Sequence, residues 1–200
     1  MKLNIDLEVE LWLDFFNRQP ENRDFVVIAE SEEDAIWFTT NFTQKLICNG
    51  GNEVIPVYGS LSSTLSEFIS QVNLVMPVGY RLRVDPHALY DLLLNFETEP
   101  KNRYVVWSDV QKILKENERD FELIFELLIV AAHLNRNGKA TIKEDGTRYQ
   151  VNQRNIFVFI GLNSRDINRF LDRSYYIPSI DVNDVQEMKF DFNIIELTNQ

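Results

Sequence analysis

The stretch DFVVIAESEEDA, residues 24–35, decides how the chain is read. Asp24–Ala29 is a compact apolar run rich in β-branched side chains, the pattern of a strand buried on both faces. Ser31 follows at once as a helix cap, and Glu32, Glu33 and Asp34 complement the positive end of the helix it starts. That helix is expected to run to about Leu46 or Cys48, where Asn49-Gly50-Gly51 stops it. A fully buried strand handing directly to a helix is the repeating unit of an α/β fold.

The unit recurs on either side. Glu8–Arg18 places Leu11, Trp12, Phe15 and Phe16 at helical spacing, a short leading helix. Glu53–Tyr58 reads as a strand whose Pro56 points to a sheet edge, a strand terminus or a bulge, and Ser60–Asn73 as a helix. Tyr80–Val84 reads as a short strand or irregular segment, after which Asp85-Pro86 starts a helix over His87–Phe96. Arg103–Trp107 is another buried strand, followed by helices near Val110–Lys115 and over Glu118–Arg136. Residues 140–151 alternate around Asp145-Gly146, a hairpin signal. Ile156–Leu162 is a further buried strand, Arg165–Leu171 a helix, Ser174–Ile177 a fifth short strand, and Met188–Leu197 an edge strand. The expectation is one α/β domain over residues 1–200: a leading helix within 1–22, a core over 23–179 carrying the hairpin, and a strand-like extension over 180–200. Its architecture is a three-layer sandwich around a mostly parallel sheet of about five strands.

Composition narrows the class. A chain of 200 residues with 44% apolar side chains buries roughly 70% of its unfolded surface and needs no staple. Cys48 is the single cysteine, so an internal disulfide framework and a multi-thiol zinc site are excluded, and a reducing, cytoplasmic setting is expected. Residues 1–12 carry acids inside their first apolar stretch, unlike a secretory signal, and Glu126 and His133 interrupt the longest apolar run, so no membrane span is expected. The net charge of −11 is uneven: residues 1–35 hold −7, residues 36–100 −3 and residues 101–200 −1.

The order of elements resembles the core of P-loop NTPases, in particular the branch containing the AAA+ and RecA-like ATPases, over about Phe25–Ile177. In that resemblance RYVVWSD, residues 103–109, corresponds to the magnesium-binding strand, and IFVFIGLN, residues 156–163, to the strand ending in a polar sensor, here Asn163. INRFLDRSYYIP, residues 167–178, is similar to the segment in which an arginine precedes the last core strand, and the hairpin sits where several AAA+ groups insert one. The resemblance implies a phosphate-binding loop right after Ala29, which needs glycines for backbone N–H groups to curl round phosphates, a lysine for the outer phosphates, and Ser or Thr for magnesium. This chain instead has Glu30 and Ala35 at the glycine positions, Ile36 at the lysine and Trp37 at the hydroxyl position. Glu30, Glu32, Glu33 and Asp34 add four carboxylates, each repelling a phosphate by about 1 kcal/mol at 4 Å in water and several times more in a cleft. On the magnesium strand Ser108 and Asp109 stand where consecutive acids are expected. The helical lid that AAA+ proteins carry after the core is not expected within residues 1–200.

The sequence therefore predicts a non-catalytic, pseudo-ATPase-like interaction or regulatory module with no cofactor and no metal. Its partner would be another protein, an active ATPase or a second copy. Arg169 and Arg173 could reach a neighbouring subunit, although ion pairs to Asp166 and Asp172 explain them as well. Two alternatives remain. Arg136, Lys139, Lys143, Arg148 and Arg154 gather on and around the hairpin and could grip nucleic acid, against the plainer reading of a solvated hairpin. Asp109, Asn163 and Arg165 lie at strand ends, where open α/β sheets bind ligands, and could serve another chemistry, although helix capping explains Asp109 and Asn163 too. His87 and His133 have no metal spacing, and Cys48 is expected to be a small buried hydrophobe.

Overall fold

The computed structural model of the chain describes residues 1–19, 23–75, 82–94, 102–136, 141–142, 148–149, 154–162, 165–178 and 185–199. Six strands form one parallel sheet in the order β1 (Lys2–Asn4), β10 (Phe192–Thr198), β2 (Asp24–Ala29), β7 (Arg154–Leu162), β4 (Asn102–Ser108), β3 (Asn52–Tyr58). The pleat explains why the middles of the central strands are apolar at successive positions. Val26, Val105, Trp107, Phe157 and Phe159 point to one face, where they pack with α3 (Leu65–Val75), α4 (Pro86–Leu94), α5 (Val110–Glu116), α6 (Glu118–Arg136) and α7 (Arg165–Leu171). Phe25, Val27, Val106, Val158 and Ile160 point to the other, against Trp12 and Phe16 of α1 (Val9–Asn17) and Phe38, Phe42 and Leu46 of α2 (Glu32–Cys48). Each face closes on an aromatic cluster: Phe38 stacks between Trp12 and Phe42 at 5.2 and 5.1 Å, while Trp107 meets Phe68, Phe121 and Phe159 across the sheet.

The expected α/β sandwich is thus present, with β3 at an edge, the first of the three placements that Pro56 allows. Thr141 and Ile142 (β5) pair antiparallel with Tyr149 and Arg148 (β6), the backbone of the expected hairpin. Four details differ. The sheet has six strands because the three-residue β1, too short to carry a periodic signal, pairs with β10. β10 is interior, lying between β1 and β2; it reads as an edge because Ile195 and Leu197 are buried while Ile194 and Glu196 stay exposed, helices covering only one of its faces. The fifth strand lies outside the main sheet: β8 (Ser174–Pro178) forms an antiparallel ribbon with β9 (Val185–Lys189), burying Tyr175 and exposing Tyr176. Cys48 is exposed, because the inward stripe of α2 passes through Phe42 and Leu46 and leaves position 48 on the outer side.

Candidate functional site at the carboxyl ends of the strands

β2, β3, β4 and β7 all end on one side, and there the chain leaves an open cleft of about 420 Å³ bordered by Glu32, Ile36, Tyr58, Ser108, Asp109, Gln111, Lys112, Lys115 and Leu162. Close backbone packing builds its floor. A Cβ at Gly59 would lie 2.3 Å from the carbonyl oxygen of Ser108 and 2.4 Å from that of Asp109, so only glycine lets the segment after β3 lie against the end of β4. Gln71 of α3 clasps the same corner, accepting from the Tyr58 N–H at 2.7 Å and donating to the Tyr58 carbonyl at 3.0 Å. Lys112 Nζ donates to the Ser60 carbonyl at 2.6 Å.

Asp109 is the strained residue of this corner. It is the single non-glycine residue with positive φ (50°) among the described residues, a left-handed conformation that Asp tolerates better than most. It stands at the N-cap position of α5 without a capping side-chain bond, so the plain capping reading of its carboxylate does not hold. Burial holds its pKa above the ordinary carboxylate range, Glu32 pushes the same way, and the Ser60 N–H and Lys112 act against them. Behind it Gln111 is buried, and its Oε1 has no hydrogen-bond partner among the described residues. That oxygen lies over Gly161, where a Cβ would come within 2.7 Å of it.

The turn after β2 is short. β2 ends at Ala29 and α2 begins at Glu32, leaving Glu30 and Ser31 between them. Ser31 Oγ accepts the Asp34 N–H at 3.1 Å and donates to the Asp34 carboxylate at 2.7 Å, so the helix supplies its own cap. Ala35 is buried, whereas Ile36 and Trp37 are 60% and 56% exposed, and Glu30 faces solvent. Ser108 donates from Oγ to the Val57 carbonyl at 3.5 Å, at the limit of a hydrogen bond. Asn163 lies outside the described residues, and Arg165 is exposed.

The basic residues do not converge. Arg136 turns inward and ion-pairs with the buried Asp24 at the start of β2, Nη1 lying 3.1 Å from Oδ2, which removes it from any contact surface. Arg154 is exposed beside Asn17, Gln19 and Arg23 at the amino ends of the strands. Lys139, Lys143 and the Arg148 side chain lie outside the described residues. Arg169 and Arg173 bond to Glu118 and Glu122 of α6, one turn apart, and each also sits over the Phe170 ring, at 5.2 and 5.5 Å. Those partners replace the expected local ones; Asp172 pairs with Lys189 instead, at 3.6 Å, and the Asp166 side chain lies outside the described residues. No local pattern signals Gln71, Gly59, Gln111 or Lys112, whose roles come from close approach of distant segments. His133 is half-buried, edge-on to Phe190 at 5.6 Å. Among the described residues no three His, Cys, Asp or Glu side chains converge as metal ligands, and no helix is long and apolar enough to cross a membrane.

No protein-family model matches the chain, and no curated protein is similar to it in sequence. Solved structures are similar in fold. The Aeropyrum pernix ORC2 protein in its ADP form superposes with a TM-score of 0.53 at 14% identity, over 96% of this chain and 46% of that one. The same protein in ADPNP-ADP complexes gives 0.55 at 15% identity over the same shares. Drosophila ORC bound to poly(dA/dT) DNA and Cdc6 gives 0.53 at 13% identity, over 96% of this chain and 28% of that one. At such identities the likeness is one of fold, and it gives this chain a P-loop-NTPase-like α/β core. The chain spans less than half the length of the proteins it superposes on.

Proposed function

We propose that this chain is a P-loop-NTPase-like module that neither holds nor hydrolyses a nucleotide and acts by docking with other proteins. The observation that carries the reading is the two-residue turn Glu30–Ser31. A phosphate cradle is a loop of several residues whose N–H groups point inward, and a helix that begins two positions after the strand leaves no such loop. Of the first-turn N–H groups that could replace it, that of Asp34 is claimed by Ser31, and Glu32 lines the cleft near Asp109 with its charge opposed to a phosphate. Lys112, the nearest base to Asp109, is already engaged with Ser60. Drosophila ORC, one of the structures that superpose here, is bound to poly(dA/dT) DNA and Cdc6, which supports a partner protein over solitary action.

Thermal unfolding with ATP or ADP, with and without magnesium, tests the reading. A ligand at a hundred times its Kd stabilises by about 2.7 kcal/mol, and at roughly 2–4 °C per kcal/mol for a chain of this size the midpoint would rise by at least ~5 °C. The expected shift is zero at millimolar nucleotide. A magnesium-dependent rise of that size refutes the proposal.

A further inference from the structure

The start of α2 carries a second feature, which flanks the strand-end cleft and shares Glu32 and Ile36 with it. Ile36 and Trp37 stand out from the helix while Phe38 and Phe42 point into the core at 0% exposure. Beside them opens a shallow groove of about 600 Å³ whose floor includes the buried Ile5 and whose rim carries Asp6, Glu32, Glu33 and Asp34. A large aromatic and a branched aliphatic side chain left in solvent are unusual singly and informative together. None of the four rim carboxylates ion-pairs with a cation among the described residues, whereas Arg23, Lys45, Arg103, Arg136, Arg169, Arg173 and Lys189 all have acidic partners elsewhere. Those seven bases are matched to acids elsewhere, while these acids and this tryptophan face outward.

We propose that this groove is the docking surface of the module, and that its occupant is an arginine-bearing, partly apolar segment of a partner protein. Charge complementarity selects a cationic segment, and the rim repels nucleic acid and acidic lipid alike. The exposed indole selects arginine over lysine, because a guanidinium stacks flat on an aromatic face while its remaining N–H groups fork to the Glu33 and Asp34 carboxylates. Ile36 supplies an apolar contact for a neighbouring side chain of the segment, so a purely charged stretch fits less well. This deepens the docking reading by naming the surface and the partner's chemistry, and it moves the contact away from Arg169 and Arg173.

The three tryptophans make the test direct. Trp12 and Trp107 are 0% exposed, so fluorescence quenchable by acrylamide reports Trp37. A short peptide of alternating arginine and leucine is titrated into the full chain, beside the same peptide with lysine for arginine. The arginine peptide should shield Trp37 from acrylamide, and amide shifts in the nitrogen–proton correlation spectrum should centre on residues 32–37. Lysine should weaken binding about threefold, the loss of one exposed cation–π contact. Trp37→Ala, followed by the amide shifts and checked for an unchanged melting curve, should weaken binding about tenfold, and Glu33→Lys should weaken it further at low salt. Equal affinity for the two peptides, equal affinity of parent and Trp37→Ala, or shifts centred on another surface would overturn the proposal. So would concentration-dependent self-association that Trp37→Ala abolishes, since the occupant would then be a second copy. The result separates from the nucleotide test: magnesium-dependent stabilisation by ATP sinks the non-nucleotide reading whether or not the peptide binds, and failure of the peptide leaves that reading untouched.

Discussion

Replacing Arg136 by methionine should expose how the two ends of the core are held together. The Asp24 side chain is 3% exposed and accepts from both terminal nitrogens of Arg136 and from the Phe157 N–H at 2.9 Å, so one carboxylate joins β2, α6 and β7. Methionine keeps most of the stem volume and removes the charge. Breaking a buried pair from one side costs about 3–5 kcal/mol, because an uncompensated charge is left behind. A second route gives a similar figure: the carboxylate escapes by taking a proton, and neutralising a group of ordinary pKa ~3.9 at pH 7 costs about 4 kcal/mol. The two limits place the loss near 4 kcal/mol, a fall in melting temperature of roughly 10 °C. Its pH dependence has a definite sign. Burial already holds the Asp24 pKa above the ordinary value, with Arg136 and the Phe157 N–H opposing it; losing Arg136 raises it further. A group whose folded pKa is raised contributes stability at low pH that is lost as pH rises through that value. The deficit of Arg136→Met should therefore be largest at pH 7 and shrink as the pH falls toward about 5. The double variant Asp24→Asn with Arg136→Met should recover much of the loss and show no such trend. Urea denaturation followed by circular dichroism at the two pH values measures all three proteins. A deficit below about 1 kcal/mol at pH 7, or one unchanged with pH, would refute the ion pair as the clasp of this core.

Two further substitutions probe the strand-end cleft. Gly59→Ala should cost about 2 kcal/mol or more in urea denaturation, since its Cβ would meet two backbone carbonyls that no side-chain rotation can clear; an unchanged midpoint would show that the β3 and β4 ends are not in contact. Asp109→Asn keeps the side-chain shape and a residue type that tolerates positive φ, while removing a carboxyl whose pKa is raised by burial and by Glu32. The parent loses stability as pH rises through that raised pKa and the variant does not, so the stability difference should move in favour of Asp109→Asn between about pH 3 and pH 7. A difference that stays constant over that range would place the carboxyl in free solvent.

How much of this was readable depended on whether a residue's role was settled by its sequence neighbours. The β2–α2 unit was legible because a buried strand, a serine cap and three first-turn acids sit within twelve consecutive residues. β10 was misplaced because alternation reports how many faces are covered, and one open face looks alike at an edge and in an interior position. Arg136 looked like a surface base beside an Asn-Gly stop, and its partner Asp24, 112 positions away, looked like the polar start of a strand. Nothing local to either residue signals the other. Cys48 was a different kind of miss: the helical stripe through Phe38, Phe42 and Leu46 already excludes it from the buried side. In the cleft, Ser108 and Asp109 were legible as strand-end polar residues, but the strain at Asp109 and the need for glycine at position 59 arise from contact between segments about fifty residues apart.

The placement of β10 fixes an order of events when the protein is made. The Met1 ammonium donates to the Ile194 carbonyl at 2.8 Å across 193 positions, and Lys2 pairs with Glu196. Until residues 192–198 have left the ribosome, β1 has no neighbour to join and β2 presents one long, apolar, unpaired edge. Such non-local parallel pairing is slow to form, and during that interval the edge is a template for pairing with other chains. The nascent protein is thus most in need of a chaperone just before residues 192–198 emerge, and chains truncated ahead of residue 192 should be recovered as aggregates rather than as smaller folded cores.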